Sequence, residues 1–319
     1  MKIALVTPAG ARSRAGNRHT ATRWAAFLRA AGHRVAVLTE WLPDRRADLM
    51  LALHARRSHA SMRAFREHCP DRPLLLALTG TDVYRDIRIS AEARESLRLA
   101  DRFIVLQAMA IRELPPLLRD RAQVVVQSCA STLRHSPVAR CLRLSVIGHL
   151  REEKDPLCAL RALELLPREA PIELIQIGEA LDARFAALAR AAMKREPRYR
   201  WLGSVPHARA LRWLATSHAM VISSRLEGGA NVVSEAIRIG TPVLASRIPG
   251  NLGLLGSDYP AVFAPGNARA LAALVERMRS DATFYRALRR WLARLRPMVA
   301  PQNEARLLLG AVRTTARGS

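Results

Sequence analysis

The segment SSRLEGGANVVSEAIRIGTPVLAS, residues 223–246, holds a strand end, a loop, a helix and a second strand in one passage. Ala219 to Ser223 reads as a buried strand and Pro242 to Ala245 as the next, with a helix opening near Asn231 between them. Two strands joined through a helix lie parallel in one sheet. The loop carries Glu227, Gly228 and Gly229. Adjacent glycines remove side chains, so a ligand can approach the backbone N–H groups. A helix N-terminus adds amides without intrahelical partners and the positive end of a dipole, which suits a phosphate. Glu227 and Glu235 have seven residues between them. Ionised carboxylates accept two hydrogen bonds each, which suits the paired hydroxyls of a sugar or a ribose. A glycine turn with two solvated glutamates is the plainer alternative, and the strand–Gly–Gly–helix setting weighs against it.

The same alternation runs outward in both directions. Residues 2–7, Val35 to Thr39, Asp48 to Leu53, Leu74 to Thr79, Phe103 to Gln107 and Gln123 to Gln127 read as strands. A helix from Thr20 to Ala31 carries Trp24, Phe27, Leu28 and Ala31 at helical spacing, and Gly32 stops it. Ser128 to Arg140 is irregular and polar and reads as a linker. The pattern then restarts with strands at Leu142 to Ile147, Ile172 to Ile177 and Tyr199 to Leu202, and helices at Asp155 to Leu166 and Leu181 to Lys194. The expectation is an α/β chain of two doubly wound, Rossmann-like domains, residues 1–138 and 139–319, facing a cleft at the carboxyl ends of their strands. Within Phe284 to Leu295, Phe284, Leu288, Trp291, Leu292 and Leu295 share a face opposite Arg286, Arg289, Arg290 and Arg294. Such a helix can lie on a membrane. In so basic a chain a helix packed on its own domain is the preferred reading.

The chain has 319 residues, 51 Lys+Arg against 27 Asp+Glu, and a net charge of +24. The excess is even, +11 over residues 1–138 and +13 over 139–319, with no basic tail or aromatic-interleaved stripe. Only Lys2, Lys154 and Lys194 are lysine. An even arginine excess argues against a nucleic-acid-binding protein, the rival from another class, and fits small, multiply anionic substrates. No apolar run approaches a membrane span, so a soluble, cytoplasmic protein without stable membrane insertion is expected. Cys69, Cys129, Cys141 and Cys158 form no C-x-x-C pair and the histidines show no zinc spacing, so no metal site is expected. There is no G-x-G-x-x-G after the first strand, no G-x-x-x-x-G-K-[ST] and no D-x-D. These absences argue against a nicotinamide enzyme, a P-loop NTPase and a transferase that holds its nucleotide through a metal.

A second informative stretch is VIGHLREEKDP, residues 146–156, between a strand and a helix. Gly148 opens the turn, and Lys154 can stand as a point charge beside a diphosphate. A solvent-facing charged loop competes as a reading for Arg151, Glu152 and Glu153. In the N-terminal half, TPAGARSRAGNRHTATRW (7–24), LHARRSHAS (53–61) and LTGTDVYRD (78–86) follow strands. They bring Gly16, Asn17, Arg18, His19, Thr20, His54, Thr79, Gly80, Thr81 and Asp82 to one sheet edge, with Arg12 and Arg14 adding charge. Thr20 can cap the following helix, and capping is the plain alternative for Thr81 or Asp82.

Residues 142–264 resemble family-four glycosyltransferases of the GT-B fold. Glu227 and Glu235 match that family's E-x7-E pattern, and Gly148, Leu150 and Lys154 match its diphosphate-gripping turn. The resemblance implies that Glu227 holds the transferred sugar, Glu235 the ribose, and the Gly229 to Val232 amides the diphosphate. It places the base near LGSVP (202–206), with Gly203 and Val205 as contacts. His149 stands where the family usually has arginine, so either Arg151 takes the cationic role or His149 acts as a hydrogen-bond donor. The loops together resemble the selenosugar synthase branch. That resemblance implies a UDP-sugar donor, UDP-N-acetylglucosamine or UDP-glucose, with selenophosphate as acceptor in selenoneine biosynthesis. It requires no cofactor or metal. An ordinary family-four enzyme with a hydroxyl acceptor is the closest rival.

Overall fold

A computed structural model describes residues 1–10, 16–80 and 82–318. The chain forms two compact units: Met1–Gln127 with Glu227–Gly229 and Pro301–Ser319, and Ser128–Leu226 with Ala230–Ala300.

The first unit is built on strands β1 (Lys2–Val6), β2 (Arg34–Leu38), β3 (Leu49–Leu53), β4 (Leu74–Leu78), β5 (Arg102–Val105) and β6 (Ala122–Val124). They form one parallel sheet in the order β2-β1-β3-β4-β5-β6. LMLAL of β3 and LLLAL of β4 are buried at every position. Continuous apolar strands of this kind belong to parallel sheets covered on both faces. Met50 and Ala52 enter one core with Trp41, Met62 and Phe65. Leu49, Leu51 and Leu53 enter the other with Trp24, Leu28, Leu308 and Val312.

Leu308 and Val312 lie on the last helix, Pro301–Arg317, which belongs to this unit and not to the second, where a linear division at 138/139 puts it. Its anchor is Glu304, fully buried, which accepts from Trp24 Nε1 at 2.7 Å and from Arg23 Nε at 2.8 Å and Nη2 at 3.1 Å. Gln123 Nε2 donates to the Leu307 carbonyl at 2.8 Å. Nothing in the local pattern of residues 301–317 points to a partner so distant in the chain. The first helix runs Gly16–Ala30, beginning four residues before the expected Thr20. Thr20 therefore sits inside it, buried, donating to the Gly16 carbonyl at 3.0 Å instead of capping.

The second unit begins at Ser128. Residues 128–140 lack regular structure, as expected, but they are bonded along the unit. His135 N donates to Ile239 O at 3.1 Å, Ser136 N to Ala215 O at 2.9 Å and Val138 N to Thr216 O at 3.1 Å. Strands β7 (Leu142–Ile147), β8 (Ile172–Ile177), β9 (Tyr199–Trp201), β10 (Ala219–Ile222), β11 (Val243–Ser246) and β12 (Val262–Phe263) make a second parallel sheet, ordered β12-β11-β10-β7-β8-β9. The two-residue β12 is too short to carry a sequence signal. The basic helix Ala282–Leu295 buries Phe284, Leu288 and Leu292 and exposes Arg286, Arg289, Arg290 and Arg294, which matches a helix packed on its own domain. Among the described residues no helix is long and apolar enough to cross a membrane.

Two predictions follow from buried groups. Glu304→Ala leaves Trp24 and Arg23 without their acceptor, and Arg23 keeps some solvent, so the loss is about 2–3 kcal/mol; urea unfolding followed by tryptophan fluorescence measures it. Burial holds His135 down to about 4, against a weaker upward pull from its bond to Ser217 O, with Arg289, His218 and Arg296 adding to the depression. The unfolded chain therefore takes up a proton near pH 6.5 that the folded chain refuses until about pH 4. Stability is full above that window and declines as pH falls through it. His135→Gln should flatten this part of a stability-against-pH curve.

Candidate functional site

Three glycines end three neighbouring strands of the second unit. Gly148 follows β7, Gly178 follows β8 and Gly203 stands two residues after β9. Gly148 N donates to Ile177 O and Gly178 N to Gly203 O, both at 2.8 Å. A Cβ on Gly178 would lie 2.0 Å from the Gly148 carbonyl oxygen and 2.4 Å from its carbon. The φ of Gly178 is also +147°. No side chain fits there, because backbone meets backbone. Sequence reasoning singled out Gly148 and Gly203 but missed Gly178. Its signal was a glycine directly after the six-residue buried strand β8.

This approach turns the chain after β7 into the loop that holds Lys154. Leu150 pairs with Ala180 in an isolated bridge, and residues Glu152–Lys154 form one tight helical turn. A recess at the ends of β7 and β10 is lined by Gly148, His149, Lys154, Ser223 and Ser224, with Gln176 among its remaining walls. The Lys154 side chain passes Gly148, its Cε 4.0 Å from where a Cβ would be. Burial drives the pKa of His149 below the ordinary imidazole value, against the pull of Glu179 and with Arg151 and Lys154 pushing the same way as burial. The imidazole is therefore neutral at pH 7. It can exchange hydrogen bonds with a ligand, and the cations that bear on it are Arg151 and Lys154. The Glu153 carboxylate lies 4.0 Å from the Arg151 Nε.

Ala230 precedes the helix Asn231–Ile239 in extended conformation. Glu235, on this helix, pairs with His207 at 2.8 Å from Oε1 to Nε2. His207 opens the helix His207–Thr216, directly after residues 202–206. The fold thus places Glu235 beside the turn that holds Gly203 and Val205. Val205 also packs against Ile175, Ile177 and Ala210. His207 was missed from the sequence, because a surface histidine at a helix start carries no motif.

Glu227, Gly228 and Gly229 group with the first unit. A Cβ on Gly228 would come within 2.7 Å of Gly80 N, and one on Gly229 within 2.6 Å of Leu106 Cβ. Gln107 Nε2 reaches the Gly228 carbonyl at 3.5 Å. Gly80 and Leu106 fill the space that the two missing side chains leave. Glu227 is 9% exposed.

At the carboxyl edge of the first sheet, Asp82 is fully buried. It accepts from Gly80 N at 2.7 Å, Ala55 N at 3.1 Å and Thr79 N at 3.2 Å. It holds the turns after β3 and β4 together, so its carboxylate shapes that edge from within. His54 has φ +79° and is 4% exposed, with ring nitrogens 4.0 Å from Asp82 and 3.8 Å from Asp86. Burial lowers its pKa despite the pull of Asp82, so it too is an internal strut. Thr79 is buried and Gly80 partly so. Gly16 and His19 are exposed and Asn17 and Arg18 half-buried on the first turns of Gly16–Ala30. Arg12, Arg14 and Thr81 lie outside the described residues. Also among the described residues, no cluster of three or more His, Cys, Asp or Glu could hold a metal ion.

Residues 143–291 match the family model described as Glycosyl transferases group 1. The structure of HepE from Anabaena in complex with UDP-glucose superimposes with a TM-score of 0.80 at 15% identity, covering 98% of this chain and 100% of that one. Sucrose-phosphate synthase from Thermosynechococcus elongatus gives 0.78 at 16% identity, covering 100% of both chains. A glycosyltransferase from Rickettsia africae gives 0.76 at 12% identity, covering 100% of this chain and 99% of the other. Two Rossmann-like α/β units with these neighbours are the GT-B fold that the sequence implied.

Gly178→Ala forces apart two backbones, and the cost expected is about 3 kcal/mol or complete failure to fold. Gly10→Ala, with nothing among the described residues within 4 Å of the added atom, is the control and should move the thermal midpoint very little. Thermal denaturation of both variants checks the contrast.

Proposed function

We propose that this chain, a glycosyltransferase by its group 1 domain, takes the sugar of UDP-N-acetylglucosamine or UDP-glucose and transfers it to selenophosphate. The observation that carries the donor half is the recess at the ends of β7 and β10, where the Lys154 side chain passes Gly148. Lys154 and Arg151 supply charge for a leaving diphosphate, and neutral His149 supplies a hydrogen bond. The amides of Ala230, Asn231 and Val232 open a helix whose dipole favours the same anion. Glu235, oriented by His207, accepts from the ribose hydroxyls. Gly203 and Val205 flank the base, and Glu227 receives the sugar. HepE, crystallised with UDP-glucose, supports the choice of nucleotide.

Glycosyl transfer proceeds through an oxocarbenium-like state. In the reaction proposed, selenium of selenophosphate attacks C1 while the bond from C1 to the UDP oxygen breaks. The electron pair leaves on UDP. Water then cleaves the selenium–phosphorus bond, giving phosphate and the 1-selenosugar. The selenium atom is soft and already anionic, so no strong general base is required of the chain. The cations and amides neutralise the leaving group, so no divalent ion is required for that step. Fixed donors of this sort are worth about 2.7–4 kcal/mol each where they have been removed singly.

Support for the acceptor comes from the first-unit loops. Arg18, with His19, Asn17 and Gly16, presents polar and cationic groups to a phosphoryl oxygen. Gly80 and Thr79 contribute backbone near the same edge, while Asp82 and His54 hold that backbone in place. Transfer to a hydroxyl is the second reading, and the likeness to a sucrose-phosphate synthase favours it.

The deciding experiment mixes the purified protein with each UDP-sugar, with or without selenophosphate, with or without a chelator, and analyses products by mass spectrometry. Selenium bonded to sugar, formed equally with chelator present, is the expected result. Lys154→Ala should lower kcat by about 100-fold while the fold persists. UDP-sugar turnover that ignores selenophosphate and depends on an added alcohol would establish the hydroxyl reading instead.

A further inference from the structure

Two non-glycine residues among those described hold a positive φ, His54 and Asp155. His54 is explained by its place between Asp82 and Asp86. Asp155 has no part in the mechanism above, yet it follows Lys154 directly, with φ +41° and ψ +60°. Left-handed geometry is costly for most side chains, whereas glycine adopts it freely and Asn and Asp tolerate it. Turn geometry alone would therefore be met by glycine.

What aspartate adds is a buried, charged reach. Its side chain is 7% exposed, and Oδ1 accepts from Arg161 Nη2 at 2.8 Å. Oδ2 is buried without a hydrogen-bond partner, 3.8 Å from Arg225 Nη2. The backbone around it is held as well. Ser223 Oγ shares its proton between the carbonyls of Lys154 at 3.1 Å and Asp155 at 2.9 Å. Arg225 N donates to the Glu153 carbonyl at 2.8 Å. Three consecutive carbonyls of the turn are thus fastened to the segment after β10. The Asp155 side chain fastens the same turn to the helix Cys158–Glu164 through Arg161.

We propose that Asp155 is the positioning residue for Lys154: its carboxylate, tied to Arg161 and drawing Arg225, sets where the lysine ammonium stands in the recess beside Gly148. The inference rests on the donor-site reading above. A lysine is a flexible point charge, so its action on a diphosphate depends on where its backbone is fixed. Misplacement of a charged group by about 1 Å can cost as much as 100-fold in rate. Asp155 touches no ligand in this scheme and acts only through Lys154.

The test is a coupling measurement on the full chain, with UDP as the probe and calorimetry as the readout, beside kcat and the KM values. Asp155→Gly suits the left-handed turn and should fold. It should weaken UDP binding and lower kcat by about tenfold each, with acceptor KM unchanged. Asp155→Asn, which keeps the shape and loses the charge, should lie between it and the parent. In a Lys154→Ala background, Asp155→Gly should have no further effect on UDP affinity. Parent-like UDP binding in Asp155→Gly, or losses that simply add to those of Lys154→Ala, would overturn the inference. Should Asp155→Gly fail to fold, the same two criteria apply to Asp155→Asn. If Lys154→Ala weakens UDP binding but Asp155→Gly does not, only the positioning role falls. If Lys154→Ala leaves UDP binding unchanged, the donor-site reading falls and takes the positioning role with it.

Discussion

Backbone meets backbone where Gly178 lies against Gly148, and the second unit's candidate site depends on that approach. A methyl group at Gly178 would sit 2.0 Å from a carbonyl oxygen, well inside any van der Waals contact. With the side chain gone, the turn after β7 can fold over the end of β8. That carries His149, Arg151 and Lys154 to the carboxyl edge of the sheet, where ligands bind in doubly wound folds.

Buried carboxylates organise both units in a related way. Asp82 is surrounded by backbone amides, Glu304 by an indole and a guanidinium, and Asp155 by arginines. Each takes a charge out of water, which is costly unless hydrogen bonds and counter-charges replace the lost hydration. In a chain with 51 basic residues against 27 acidic ones, these carboxylates do structural work among many available cations. The net positive field left over suits a substrate that carries several negative charges.

The neutral histidines belong to the same balance. Burial and neighbouring arginines depress His54, His135 and His149, although the chain carries so much positive charge. An imidazole among guanidiniums is easier to bury uncharged. His149 in the turn after β7 therefore acts as a hydrogen-bonding group, and the positive charges that bear on it come from Arg151 and Lys154.

Alternation of apolar strands with amphipathic helices was legible along the chain, because a parallel sheet buried on both faces demands strands such as LMLAL and LLLAL wherever it occurs. Strands β7 and β8 were read with their observed bounds, and the Gly148, Lys154 and Glu235 elements were legible because glycine and charge at strand ends are local signals. Other features were decided only when distant segments met. Helix Pro301–Arg317 joined the first unit because Glu304 finds Trp24 and Arg23 some 280 residues away. Gly228 and Gly229 proved to be spaces for Gly80 and Leu106, and Asp82 turned inward to satisfy three amides. His207 acquired meaning only beside Glu235. A sequence records which groups each residue offers; which of those groups are consumed inside the protein, and which remain for a ligand, depends on contacts that exist only once the chain has folded.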